Sequence, residues 1–156
     1  MTPSSIRMEV VAERASWIRR MLAGIRELPL SSYEKFMEDP RNCAAAESYL
    51  RRALEGVLDL GRHILAKGFG VVATEYKDIG PLLVKHGVLD TVEGKLLREM
   101  GGYRNRLVHF YHEVGNKELY EICTERIVDV KRVLNSILKW VESNPEKTSK
   151  AMDGNE

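Results

Sequence analysis

At 156 residues the chain is long enough to bury a core without disulfides or metal, and its 24 Lys and Arg against 23 Asp and Glu leave a formal net charge of only +1. That balance excludes a sequence-independent polyanion binder acting through overall basic excess, so any nucleic-acid contact must rest on a local cluster. The two cysteines, Cys43 and Cys123, stand far apart with no CxxC and no histidine at metal-ligand spacing, which reads as reduced packing thiols and neither a metal site nor a cofactor.

Ser5 is placed to cap a helix opening at Ile6. Met8, Val11, Ala15, Ile18, Leu22 and Ile25 recur at steps of three and four, the apolar seam of an amphipathic helix that Leu28-Pro29 stops. Ser31-Ser32-Tyr33-Glu34 has the form of a capping box and predicts a short helix to about Glu38. Asp39-Pro40, a cap and then proline at the first helical position, opens a long helix to about Lys67, which Gly68 and Gly70 close. Ala46, Leu50, Ala53, Val57, Leu60 and Ile64 stripe it, and Leu54, Leu58 and Leu65 widen the stripe. That breadth implies packing on two sides, at a bundle centre or a subunit interface.

Val71 to Lys77 reads as loop, since Val71-Val72 has no second strand to pair with. Pro81 at a first turn and Gly87 bracket a short helix. Asp90-Thr91-Val92-Glu93, another capping box, starts a helix through about Met100, where Gly101-Gly102 predicts a kink or a break. Helix then resumes from about Tyr103 to Glu113, and Gly115-Asn116 closes it, with Asn116 as the next cap. Cys123, Ile127, Val130, Leu134, Ile137 and Val141 carry the same rhythm to Asn144-Pro145. The prediction is an all-α, up-and-down helical bundle, one domain over 1–144, with a polar, disordered tail over 145–156. No apolar run reaches the ~20 residues of a membrane span, and the first residues lack signal-peptide architecture, so the expected location is cytoplasmic.

The most chemically loaded stretch is Gly101-Gly102-Tyr103-Arg104-Asn105-Arg106-Leu107-Val108-His109-Phe110-Tyr111. Arginine offers a fixed charge and a planar fork that fits phosphate oxygens, and histidine carries a proton either way near neutral pH. Together they suit a phosphodiester. On a straight helix, Asn105, His109 and His112 share a stripe, whereas Arg104 and His109 sit about 140° apart. Two arrangements would reconcile the pair. The Gly-Gly break could leave Arg104 in a distorted first turn, or two copies could face each other across a two-fold axis, with the broad apolar face of the 40–67 helix as dimer surface.

Tyr103 to Tyr111 resembles the signature of the HEPN superfamily, R-N-x-x-x-H followed by x-Y. The trailing tyrosine is characteristic of its HepT-like branch, the toxin partners of minimal nucleotidyltransferases (MntA–HepT). The order around it is similar over roughly residues 5 to 142: a long helix, a second one carrying Asp59-Leu60-Gly61-Arg62-His63-Ile64-Leu65-Ala66, a short helix with proline, and Tyr120-Glu121-Ile122 opening the last helix. The resemblance implies a homodimer whose two motifs meet in a cleft, and a metal-independent endoribonuclease serving as toxin of a type VII-like toxin–antitoxin system. In that reading Arg104 binds the scissile phosphate and stabilises the pentavalent transition state. His109 is general base or acid for attack by the ribose 2′-hydroxyl, and Asn105 orients the site. Tyr111 is the hydroxyl to which a partner nucleotidyltransferase antitoxin transfers AMP, adding phosphate charge beside Arg104. Arg106 departs from the apolar residue of many relatives and adds either a phosphate contact or a solvated charge.

Other residues admit two readings each. His112 shares the face of His109 and either assists a proton relay or ends a helix. Arg62 and His63 either line the RNA cleft from the second long helix or, for His63, form a structural hydrogen bond. Arg51-Arg52 and Arg41 are either an RNA surface or a solvated helix face. Tyr103 and Tyr120 read as core or interface aromatics. The competing function is a non-catalytic HEPN domain that binds nucleotide or docks a nucleotidyltransferase; a purely structural bundle is the third.

Overall fold

A computed structural model describes residues 4–109 and 114–149. Among the described residues seven α-helices carry the fold: α1 (Met8–Arg26), α2 (Tyr33–Met37), α3 (Pro40–Phe69), α4 (Tyr76–Lys85), α5 (Thr91–Leu107), α6 (Asn116–Glu121) and α7 (Ile127–Ser143). A π-helical stretch, Ile122–Arg126, joins the last two, and Thr124 Oγ1 donates back to the Tyr120 carbonyl at 2.9 Å inside it. Among the described residues no helix is long and apolar enough to cross a membrane.

The 30-residue α3 is the axis. Asp39 caps it by accepting from the Arg41 amide, proline opens it, and Gly70 closes it at φ 65°, in the left-handed region that glycine enters without steric penalty. Helix α1 runs antiparallel to it: Ile6 meets Gly68, Ile18 meets Gly56, and Tyr49 meets Gly24. Helix α5 crosses α3 antiparallel too, with Leu97 near Gly61 and Arg104 near Glu55. Leu54, Leu58, Leu60, Ile64 and Leu65 are all buried within this one chain. The breadth of the α3 stripe therefore reflects a bundle centre, covered by the chain's own helices, and not the dimer surface that the sequence left open.

The observed helix ends match the local punctuation in part. Asp90 and Glu93 form the complete capping box of α5. Ser32, not Ser31, caps α2, accepting from the Lys35 amide at 3.1 Å. Strand-like Ile6–Arg7 (β1) precedes α1, so Ser5 is not its cap. Helix α4 starts at Tyr76, five residues before Pro81, which lies on its exposed face where the backbone bond it deletes faces water. Gly115, and not Asn116, caps α6. The chain also keeps regular structure over 145–149: Pro145–Lys147 make a 3-10 turn, and Thr148–Ser149 (β2) pair in parallel with β1. Lys147 fastens this end, reaching the Gly68 carbonyl at 3.3 Å and the Phe69 ring at 4.7 Å.

The largest departure concerns Gly101-Gly102. Helix α5 runs through both without interruption to Leu107. The reason is tertiary. A β-carbon on Gly101 would stand 3.1–3.2 Å from backbone atoms of Tyr76 and Lys77, and one on Gly80 would stand 2.3 Å from the Gly94 carbonyl oxygen. Helices α4 and α5 thus form an antiparallel hairpin in backbone-to-backbone contact, and that packing overrides the ~1 kcal/mol helical penalty of each glycine.

Candidate active-site cleft

The hairpin delivers the last turn of α5 to the side of α3. There Arg104, partly buried, is gripped from three elements. Its Nε donates to Glu55 Oε1 of α3 at 3.3 Å, its guanidinium lies 4.8 Å over the Tyr76 ring of α4, and a terminal nitrogen donates to Asn105 Oδ1 at 3.4 Å. Glu55 in turn accepts from Arg51 at 3.1 Å. The same Tyr76 ring carries a second guanidinium, Arg62, at 4.7 Å, and the Tyr76 hydroxyl donates to Asp59 at 3.3 Å. Burial, then the nearby Asp59, pushes the Tyr76 hydroxyl up, so it stays a neutral donor.

These groups line an open cleft of about 520 Å³, walled by Arg62, Thr74, Glu75, Tyr76, Lys77, Arg104 and Asn105. Three cations face one carboxylate there, a local basic cluster on a nearly neutral chain. Glu55 and Asp59 sit behind the arginines and orient them without lining the opening.

The predicted residues separate into groups. Arg104, Asn105 and Arg62 come together in the cleft. Arg104 lies in the last turn of a helix that runs unbroken from Thr91, which removes the distorted first turn as a way of joining it to His109. His109 instead follows the helix end at Val108; it is exposed, and its amide donates to the Arg106 carbonyl at 3.4 Å. The straight-helix angle between the two therefore does not apply. Arg106 turns to α6 and grips Glu118 through two bonds of 2.6 and 2.8 Å, which hold the Glu118 carboxyl below its ordinary range. That clasp ties together the two ends of the segment bearing His109. His63 lies elsewhere: its Nε2 accepts from the Arg7 amide at 3.2 Å, and burial, with Lys67, Arg14 and Arg7, lowers its pKa, as in the structural reading of this residue. Tyr111 and His112 fall outside the described residues.

Tyr76, Glu55 and Asp59 complete the site without belonging to the motif. A signal existed for two of them. Glu55, Asp59 and Arg62 recur at four and then three, a polar stripe along a helix whose other faces are mostly apolar. Tyr76 sat in the segment read as loop and offered no local sign. Among the described residues, no group of three or more His, Cys, Asp or Glu side chains is arranged to hold a metal ion.

Solved structures share this arrangement of helices. The HEPN toxin of Shewanella oneidensis, tri-AMPylated and in complex with MNT antitoxin, superposes with a TM-score of 0.75 at 19% identity, over 83% of this chain and 97% of that one. The cytosolic protein YutE of Bacillus subtilis superposes at 0.73 with 21% identity, over 89% and 93%. A protein of Thermus thermophilus does so at 0.56 with 24% identity, over 78% and 96%. No curated protein sequence matches. At these identities the likeness speaks for the fold alone. The family model described as ribonuclease HepT-like, however, matches residues 18–137, nearly every helix that builds and backs the cleft, and the chain belongs to that HepT-like, HEPN-type family.

Proposed function

We propose that the chain is the toxin of a toxin–antitoxin pair, an endoribonuclease working from the Arg104 cleft without a metal or cofactor. The observation that carries this reading is the fixed guanidinium of Arg104, held by Glu55, Tyr76 and Asn105 at a basic opening a few residues before His109. Arg104 neutralises the scissile phosphate and the charge that builds as it becomes pentavalent. His109, from this copy or from a two-fold mate facing it, takes the proton of the ribose 2′-hydroxyl. The 2′-oxygen bonds to phosphorus, the bond to the 5′-oxygen breaks, and a proton returns to that oxygen, leaving a 2′,3′-cyclic phosphate and a 5′-hydroxyl. Asn105 orients Arg104.

Control follows from the same sequence motif. AMP transferred to Tyr111 by a partner nucleotidyltransferase would add an anion and a nucleotide to the stretch that begins at Arg104 and so oppose RNA binding. The toxin–antitoxin pairing of the Shewanella structure supports that partner class. The chain acts in the cytoplasm in this reading.

The decisive test is cleavage of a defined RNA by the purified protein, with product ends identified by mass. His109→Ala is expected to lower the rate by about a hundredfold or more. Full cleavage by that variant would overturn the assignment. A second reading draws support from the aromatic wall and its two guanidiniums, which also fit a bound nucleotide: saturable ATP binding without RNA cleavage would favour a non-catalytic docking domain.

A further inference from the structure

The outer face shared by α4 and α5 carries a second, larger groove of about 760 Å³. Its floor is Pro81, Val84 and Gly94, and its rim bears Lys77, Lys95 and Arg98 beside Glu99. Lys77 lines both this groove and the Arg104 cleft. Along α5 the two are joined by one stripe: Lys95, Arg98, Gly102 and Asn105 follow at steps of three, four and three, on a single face about 15 Å long. At Gly102 a β-carbon would meet nothing within 4 Å, so no packing closes the passage between Arg98 and Asn105.

The charges in the groove also differ from those at and beside the Arg104 cleft. Lys77, Lys95 and Arg98 are exposed, and among the described residues none makes an ion pair. Arg51, Arg62, Arg104 and Arg106 each hold a carboxylate. Glu99 on the rim also borders a separate small cavity with Arg126 and Tyr103.

We propose that this groove is the track for the single-stranded RNA running out of the Arg104 cleft. Lys77, Lys95 and Arg98 hold flanking phosphates, and Pro81 and Val84 support a base or ribose. The inference rests on the ribonuclease reading of the cleft. It favours RNA over an acidic protein segment because Lys95 and Arg98 follow a face of α5 that ends at Asn105, in the cleft that also holds the Arg104 guanidinium. They also stand above an apolar floor, as suits a strand with phosphates along one edge and bases along the other.

The test is fluorescence anisotropy in the non-cleaving His109→Ala background, with a labelled single-stranded RNA of about 12 nucleotides and with a labelled dinucleotide that fills the cleft alone. Lys95→Ala with Arg98→Ala is expected to weaken the longer RNA about tenfold and to reduce its log–log salt slope by about 1.4, at ~0.7 per lost phosphate contact on a single strand. Dinucleotide affinity should hold. Arg104→Ala should weaken both ligands. Loss with Arg104→Ala but wild-type affinity in the groove variant would overturn the track and leave the cleft reading standing. Absence of RNA binding by the unmodified groove and cleft would overturn both. A groove variant that binds RNA normally but loses its nucleotidyltransferase partner would overturn the track in favour of a protein-docking face.

Discussion

The α1–α3 pair and the α4–α5 hairpin are both antiparallel and both hold glycines at the contact, yet they are built differently. Where α1 crosses α3 at Gly24, the nearest neighbours of an added β-carbon would be ring atoms of Tyr49, at 2.6–2.9 Å, a side chain that is half-buried and can swing. In the hairpin, the neighbours of Gly80 and Gly101 are backbone atoms, which cannot. The first pair is an interlocked set of side chains, able to redistribute volume at modest cost. The second is a fixed spacing between two main chains, and it sets where Tyr76 and Arg104 stand relative to each other. The rigid joint is the one that carries the cleft.

Alanine at these glycines breaks or sharpens that contrast. Gly80→Ala would force α4 away from the Gly94 carbonyl, and a loss on the order of 3 kcal/mol or more is expected in urea unfolding. Gly24→Ala should change stability by about 1 kcal/mol or less, since ring displacement offsets alanine's gain in helix propensity. Equal losses at both would mean that the hairpin is not distinct. Next in size is Glu55→Gln, which links the two regions. It keeps an acceptor for Arg104 but removes the charge that fixes it, so kcat for RNA cleavage should fall about tenfold, or ~1.4 kcal/mol, with KM little changed. A fall in stability alone would assign Glu55 to packing.

What could be read from sequence was whatever is local. The apolar rhythm of α1, α3 and α7, the Asp39-Pro40 opening and the Asp90–Glu93 box depend on residues a turn or two apart, and each is found where expected. Arg104 and Asn105 were legible because they are adjacent. Glu55, 49 positions from Arg104, was not, nor was the aromatic wall that only the hairpin brings to them. Gly101-Gly102 read as a break because local propensity says so; its real cause is the approach of the Tyr76–Lys77 backbone. The structure over 145–149 was not legible for the same reason, since the pairing of β2 with β1 joins residues far apart in the chain.

Smaller effects test the periphery of the two regions. His63, on α3 against β1, has its pKa lowered from 6.5 by burial and by Lys67, Arg14 and Arg7. The folded state therefore favours the neutral ring, and the sign follows. Its contribution is complete above about pH 6.5 and declines as pH falls from there through the folded-state value, because the unfolded chain takes up the proton first. Urea midpoints at about pH 7.5 and about pH 5 should converge in His63→Gln relative to the unaltered protein.

The smallest expected effect isolates the hairpin from its own helix. Gly101 and Gly102 are neighbours in one helix, with the same propensity penalty, but only Gly101 touches α4. Gly102→Ala should raise stability by about 0.5–1 kcal/mol, because alanine restricts the unfolded chain and meets nothing in the folded one. Gly101→Ala should lower it, since the backbone of Tyr76 and Lys77 has to move. Opposite signs at adjacent positions would locate the constraint in the contact between main chains. Two gains would show that α4 yields, in which case Arg104 would have to be held by Glu55 and Asn105 without a fixed Tyr76.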